Sequence, residues 1–117
     1  MNIRLQLLNS KVIDQLVKDV GVETTLVFLS SVKDELNTRM ENIIEAKKEK
    51  SFEKLSAEAH ALKSCSSAGG AIALSQMLLQ IETLAKDKDP EALALVEKAH
   101  EVIQLTQMAY QELNLEE

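Results

Sequence analysis

Between Glu23 and Glu49 the residues Leu29, Val32, Leu36, Met40 and Ile43 recur at steps of three and four. That spacing places them on one stripe of a helix and leaves the opposite face polar. The pattern returns along the chain. Val12, Ile13, Leu16, Val17 and Val20 precede Gly21, and Phe52, Leu55, Ala59, Leu62 and Ser66 follow Ser51. Leu74, Met77, Leu78, Ile81 and Leu84 form a further stripe, and Leu93, Val96, Ala99, Ile103, Thr106 and Tyr110 the last. Only three Gly and one Pro interrupt the 117 residues. A chain of this kind can bury its apolar stripes only by packing helix against helix.

The punctuation sets the expected boundaries. One helix covers about Ser10 to Val20 and stops at Gly21, and a second runs from Glu23 to about Glu49, where Lys47 and Lys48 suit the C-terminal dipole. Ser51 is the expected N-cap of a third helix ending near Gly69-Gly70. A fourth spans about Ala71 to Lys86, and Asp89-Pro90 reads as N-cap and first residue of a fifth through Tyr110. Short connections favour antiparallel neighbours. The expected form is an all-α, antiparallel up-down four-helix bundle with an additional short N-terminal helix. It makes one domain over residues 1–117, with an N-terminal extension at 1–8 and a frayed acidic tail at 114–117. Met40, Met77 and Met108 fall on expected core positions.

Composition removes several function classes. A net charge of −6 and a pI near 5.0 leave no Lys/Arg stripe to neutralise nucleic-acid phosphates. No apolar run approaches the roughly 20 residues of a membrane span, and no signal peptide is visible. One cysteine excludes an internal disulfide and fits a reducing, cytoplasmic setting.

Chemistry concentrates in Glu58-Ala59-His60-Ala61-Leu62-Lys63-Ser64-Cys65-Ser66-Ser67-Ala68-Gly69-Gly70-Ala71. As a helix, this segment lines up Ser56, His60, Lys63, Ser64 and Ser67 on one stripe. His60 points about 120° from the centre of the apolar stripe, so it is a boundary or exposed residue among small neighbours. Neutral imidazole carries a lone pair on one ring nitrogen and can attack a phosphoryl group without a separate base. Lys63 would then offset the added charge.

The ordered set Ala59, His60, Leu62, Lys63, Gly70, Ala71, Leu74, Ser75, Ile81 and Glu82 resembles the phosphoacceptor motif of histidine-containing phosphotransfer (HPt) domains. Phe28, Leu36, Met40, Ile43 and Ala46 follow the family's preceding helix more loosely. Two positions depart from the pattern: Ser64 stands where glycine is usual, and Gly69 where a larger apolar residue is usual. The resemblance implies a phosphocarrier without kinase or nucleotide site of its own, and hence not an enzyme. It would accept a phosphoryl group on His60 from a receiver-domain aspartate and pass it to another receiver. It further implies that Glu82 accepts a hydrogen bond from the second ring nitrogen of His60, with Lys86 one turn further along. No cofactor is expected in the domain, because the receiver would bring Mg²⁺. The expected partners are response-regulator receivers and a hybrid sensor kinase, and the expected state is a monomer. One docking wall would be Ser56, Ala57, Ser64, Ser67 and Gly70, with Lys86 as a further contact. The other would be Val27, which falls opposite the Leu29–Leu36–Ile43 stripe, with Phe28 on its flank.

Other constellations fall short. Cys65 lies about 140° around the helix from His60, too far for a dyad. Glu97-Lys98-Ala99-His100 matches a single Glu-x-x-His, whereas di-iron bundles need two such motifs and two more carboxylates. Gly69-Gly70 has no phosphate-loop spacing around it. A sensor-kinase dimerisation helix usually has an acidic residue after its histidine and a proline soon after; here Ala61 follows and no proline precedes Pro90. An adaptor that binds a signalling partner without being phosphorylated is the alternative function. Its helical patterning would be the same.

Overall fold

The computed structural model describes residues 7–113 and 115, and among these there is no strand. Helix α1 runs Ser10–Glu49, α2 Phe52–Ala68, α3 Ile72–Lys86, α4 Glu91–Ala94 and α5 Val96–Gln111. The second arm of α1 packs with α2, α3 and α5 as an up-down bundle around one core cluster. Leu36, Ile43, Leu55, Leu62, Leu74, Leu78, Ile81 and Ile103 are its large, fully buried members.

Local chemistry accounts for the boundaries. Asn9 caps α1 by accepting from Lys11 N–H, and Ser51 Oγ accepts from Lys54 N–H at the start of α2. Asp89 Oδ1 accepts from Glu91 N–H at 2.9 Å and opens the last helical stretch. That stretch begins with the single turn of α4, and Leu95 carries the helical dihedrals φ −77° and ψ −12° into α5.

The two expected N-terminal helices follow one another as the arms of α1, broken at Gly21, whose φ of 85° and ψ of 168° are not helical. That backbone region is open essentially to glycine alone. Thr25 Oγ1 donates to the Gly21 carbonyl at 2.7 Å and ties the break to the following turn. Arg39 joins the second arm to α2, reaching Glu35 at 2.6 Å and Glu58 at 3.0 Å.

Several expectations change. Leu7 and Leu8, placed in an N-terminal extension, are buried core residues; residues 1–6 of that extension lie outside the described residues. Of the expected frayed tail, Leu115 packs half-buried on the core, and residues 114, 116 and 117 lie outside the described residues. Met108, expected in the core, is 55% exposed, because α5 turns that side away from the other helices.

The end of α2 explains the glycine pair. Tyr110, on the last turn of α5, donates its hydroxyl to the Gly69 carbonyl at 2.6 Å. A Cβ at Gly69 would lie 2.7 Å from that hydroxyl oxygen, so tyrosine fills the space of the larger residue expected there. Gly70 turns the chain with a φ of +74°. Its carbonyl accepts from Asn9 N–H at 2.7 Å, tying the N-terminal arm to the α2–α3 connection.

Candidate functional site

Helices α2 and α3 run antiparallel and bring together residues 22 positions apart. The His60 imidazole is 62% exposed and rises from the outer face of α2. Its neighbours Ala57 and Ser64 are exposed, and Ala61 is half-buried; all are small enough to leave the ring standing clear. Glu82, on α3, is buried down to 5% side-chain exposure, with its carboxylate directed at three partners. Nδ1 of His60 lies 2.9 Å from Oε2, Lys63 Nζ donates to Oε1 at 2.7 Å, and Lys86 Nζ reaches Oε2 at 3.2 Å.

The electrostatics of this cluster follow from those distances. The hydrogen bond from Lys63 is the largest cause holding the Glu82 carboxyl down at about 2; those from Lys86 and His60 add to it, and burial opposes it. Glu82 is therefore ionised throughout the physiological range. An ionised carboxylate only accepts hydrogen bonds, so the ring nitrogen facing it carries the proton. The lone pair of neutral His60 then sits on Nε2, the nitrogen on the far side of the ring. In the neutral ring the geometry thus fixes the tautomer that leaves Nε2 free, beside one buried anion and two ammonium groups.

The expected docking residues scatter more widely. Ser64 and Ser67 are exposed on the face of His60, and Ser67 Oγ shares a 2.7 Å hydrogen bond with Ser75 Oγ of α3. Ser56 is half-buried, and Lys86 is exposed beside Glu82. Gly70, in contrast, is buried: Asn9 and Val12 of the N-terminal arm cover it, and it cannot touch a partner. Val27 is exposed, whereas Phe28 is half-buried and packs against the core. Gly69 opposite Val32 and Glu58 opposite Arg39 set the register of α1 against α2. Val27 then stands about 18 Å along the bundle axis from the level of His60, at the outer margin of the site rather than beside the ring.

One residue of this face escapes the periodicity. Leu79 is 50% exposed on α3. The pairs Ser67–Ser75 and His60–Glu82 set a register that puts it level with Lys63. The run Met77-Leu78-Leu79 carried the signal, since three successive apolar residues cannot all face inward on a helix. Away from this face, the Glu97 carboxylate is 3.4 Å from Lys47 Nζ and His100 is exposed.

Comparison with known proteins bears on what such a site serves. Residues 27–114 match the family described as the Hpt domain. The phosphorelay protein LuxU of Vibrio vulnificus, in strains YJ016 and CMCP6, is 30% identical over 111 residues, covering 91% of this chain and 93% of its own. The crystal structure of histidine-containing phosphotransfer protein B (HptB) from Pseudomonas aeruginosa PAO1 shares the fold with a TM-score of 0.85. It is 21% identical, and the match covers 90% of this chain and 91% of that one. The chain belongs to the Hpt family, the histidine-containing phosphotransfer domains.

Proposed function

We propose that this protein is a phosphorelay carrier whose phosphoacceptor is Nε2 of His60. The observation that supports this most directly is an exposed imidazole whose Nδ1 lies 2.9 Å from the buried Glu82 carboxylate. The Nε2 lone pair attacks the phosphorus of an aspartyl phosphate on a receiver domain. A P–N bond forms as the P–O bond to the aspartate breaks, and the carboxylate leaves. The ring then bears positive charge, which Glu82 stabilises through the Nδ1–H it already holds. Lys63 and Lys86 offset the charge of the incoming phosphoryl group. Reversal of the step onto a second receiver completes the relay, with a hybrid sensor kinase upstream.

The chemistry asks for no cofactor of the domain's own, because a receiver would bring Mg²⁺ with its aspartate. In this reading the protein is a phosphocarrier rather than an enzyme, and it works as a monomer in the cytoplasm; among the described residues no helix is long and apolar enough to cross a membrane. Docking would centre on Ala57, Ser64, Ser67 and Leu79 around the imidazole, with Ser56 and Lys86 beside them and Val27 and Phe28 at the margin.

The test is transfer from a phosphorylated receiver domain. Wild-type protein should take up acid-labile, base-stable label, and His60→Gln should take up none while keeping its helical circular dichroism. Label that persists in the variant, or that moves to His100, would overturn the assignment. An unlabelled wild type that still binds receivers would favour a non-catalytic adaptor.

A further inference from the structure

The hydroxyl of Ser64 has no role in the fold that its geometry requires. Its Oγ donates to the His60 carbonyl at 3.3 Å, well beyond the usual 2.7–2.8 Å of an O–H···O bond, and that carbonyl is a helical one. Turning the hydroxyl outward therefore costs little. Ser64 is exposed, one turn past His60 on the same face of α2. Helical side chains lean toward the helix N-terminus, so its Oγ overhangs the turn that carries the imidazole.

The other groups near the ring are already engaged. Lys63 and Lys86 both bond to Glu82, at 2.7 and 3.2 Å, and Ser67 is paired with Ser75. Glu82 holds Nδ1, so Nε2 points away from α3 and over the outer face of α2. There the small residues within one turn are Ser56, Ala57, Ala61 and Ser64. Of these, Ser56 and Ser64 can donate a side-chain hydrogen bond, and Ser64 is the exposed one, Ser56 being half-buried.

We infer that Ser64 binds the phosphoryl group carried by His60, its hydroxyl leaving the His60 carbonyl to donate to a phosphoryl oxygen. The inference rests on the phosphocarrier reading and adds a donor to it. A donor aimed at the phosphoryl oxygens stabilises the phosphorylated form, in which they carry the most charge. It therefore slows spontaneous hydrolysis and shifts the receiver–His60 equilibrium toward the histidine.

The experiment compares wild type with Ser64→Ala, Ser64→Gly and Ser64→Thr, each loaded from the same phosphorylated receiver. Two quantities are read at neutral pH: the half-life of phosphohistidine after removal of the receiver, and the equilibrium ratio of label between the two proteins. Ala and Gly should each shorten the half-life and move the equilibrium against His60 by about tenfold, as expected for loss of one charge-assisted donor. Thr, which keeps the hydroxyl, should restore both. Unchanged half-lives in Ala and Gly, or faster loading in both without a change in equilibrium, would overturn the inference and leave Ser64 as an obstruction to docking. Failure of wild type to take any label would sink the phosphocarrier reading itself, a result distinct from equal half-lives among labelled variants.

Discussion

At the scale of single residues, Glu82 decides how the site behaves. A buried carboxylate is costly unless it is paired, and here three donors share its two oxygens. Its pKa is depressed from 4.5 to about 2, with Lys63 the largest cause. A group depressed in the folded state adds stability that is full above its unfolded pKa and is lost as pH falls through the folded one. The ion cluster should thus be intact above about pH 4.5 and weaken progressively toward pH 2. Carbon-detected NMR of the Glu82 carboxyl should find its midpoint near the lower value, and Lys63→Ala should raise that midpoint. A wild-type midpoint at 4.5 would mean that the lysines do not close on Glu82 in solution. Glu82→Gln provides the contrast. An amide can still accept from Nδ1–H, so His60 should remain competent for labelling, whereas Glu82→Ala should slow transfer by about tenfold by freeing the tautomer.

At the scale of elements, the end of α2 depends on α5. The Tyr110 hydroxyl and the missing Cβ of Gly69 occupy one small volume, with Val32 behind them at 3.2 Å. Burial also pushes the Tyr110 pKa up, so the phenol stays protonated and keeps donating. Gly69→Ala should destabilise the protein by about 1–3 kcal/mol, since the new methyl meets the hydroxyl and must displace a packed ring. Tyr110→Phe should cost about 1–2 kcal/mol by leaving the Gly69 carbonyl without its donor. The double variant should cost less than the sum, because removing the hydroxyl clears the space that the new methyl needs. Denaturant unfolding of wild type, both single variants and the double variant measures this directly. Strict additivity would show that α2 and α5 do not meet at this point. The break at Gly21 serves a different purpose: it turns the N-terminal arm of α1 so that Asn9 and Val12 can cover Gly70.

At the scale of the molecule, the proposed function makes the exposed apolar and small residues near His60 the surface that a receiver would meet. Receivers dock only transiently in a relay, so a modest patch is sufficient. Ala57 and Leu79 flank the imidazole from α2 and α3, whereas Val27 lies near the edge of a standard interface centred on His60. Ala57→Asp and Leu79→Asp should each weaken receiver binding by about tenfold or more, because a buried unpaired charge is costly at an interface centre. Val27→Asp should have a smaller effect, under about threefold. All three positions are exposed, so thermal stability should hold. Calorimetric titration with an unphosphorylated receiver checks the order. Equal losses at all three positions would move the interface toward the N-terminal half of α1.

What the chain determined by itself was everything set within a few helical turns. The spacing of apolar residues establishes an all-α bundle and the exposure of His60, since both depend on the phase of one helix. The caps at Ser51 and Asp89 and the break at Gly21 are equally local, each made by a residue and the two to four that follow it. The ordered set from Ala59 through His60 and Lys63 to Glu82 carried the resemblance to phosphotransfer domains. What needed the tertiary structure depends on residues far apart in sequence. His60 and Lys63 converge on Glu82 because α2 and α3 pack antiparallel in one register, which no spacing within α3 encodes; Lys86 joins them locally, from one turn along α3. Gly69 could be seen as a departure, but its cause lies 41 residues away in Tyr110. Gly70 looked available on its own helix and is covered by an arm that returns across it. Leu7 and Leu8 carry no helical period of their own, and the packing of the whole chain is what buries them. Periodicity assigns a residue to a face of its helix; which neighbour covers that face is decided only when the helices meet.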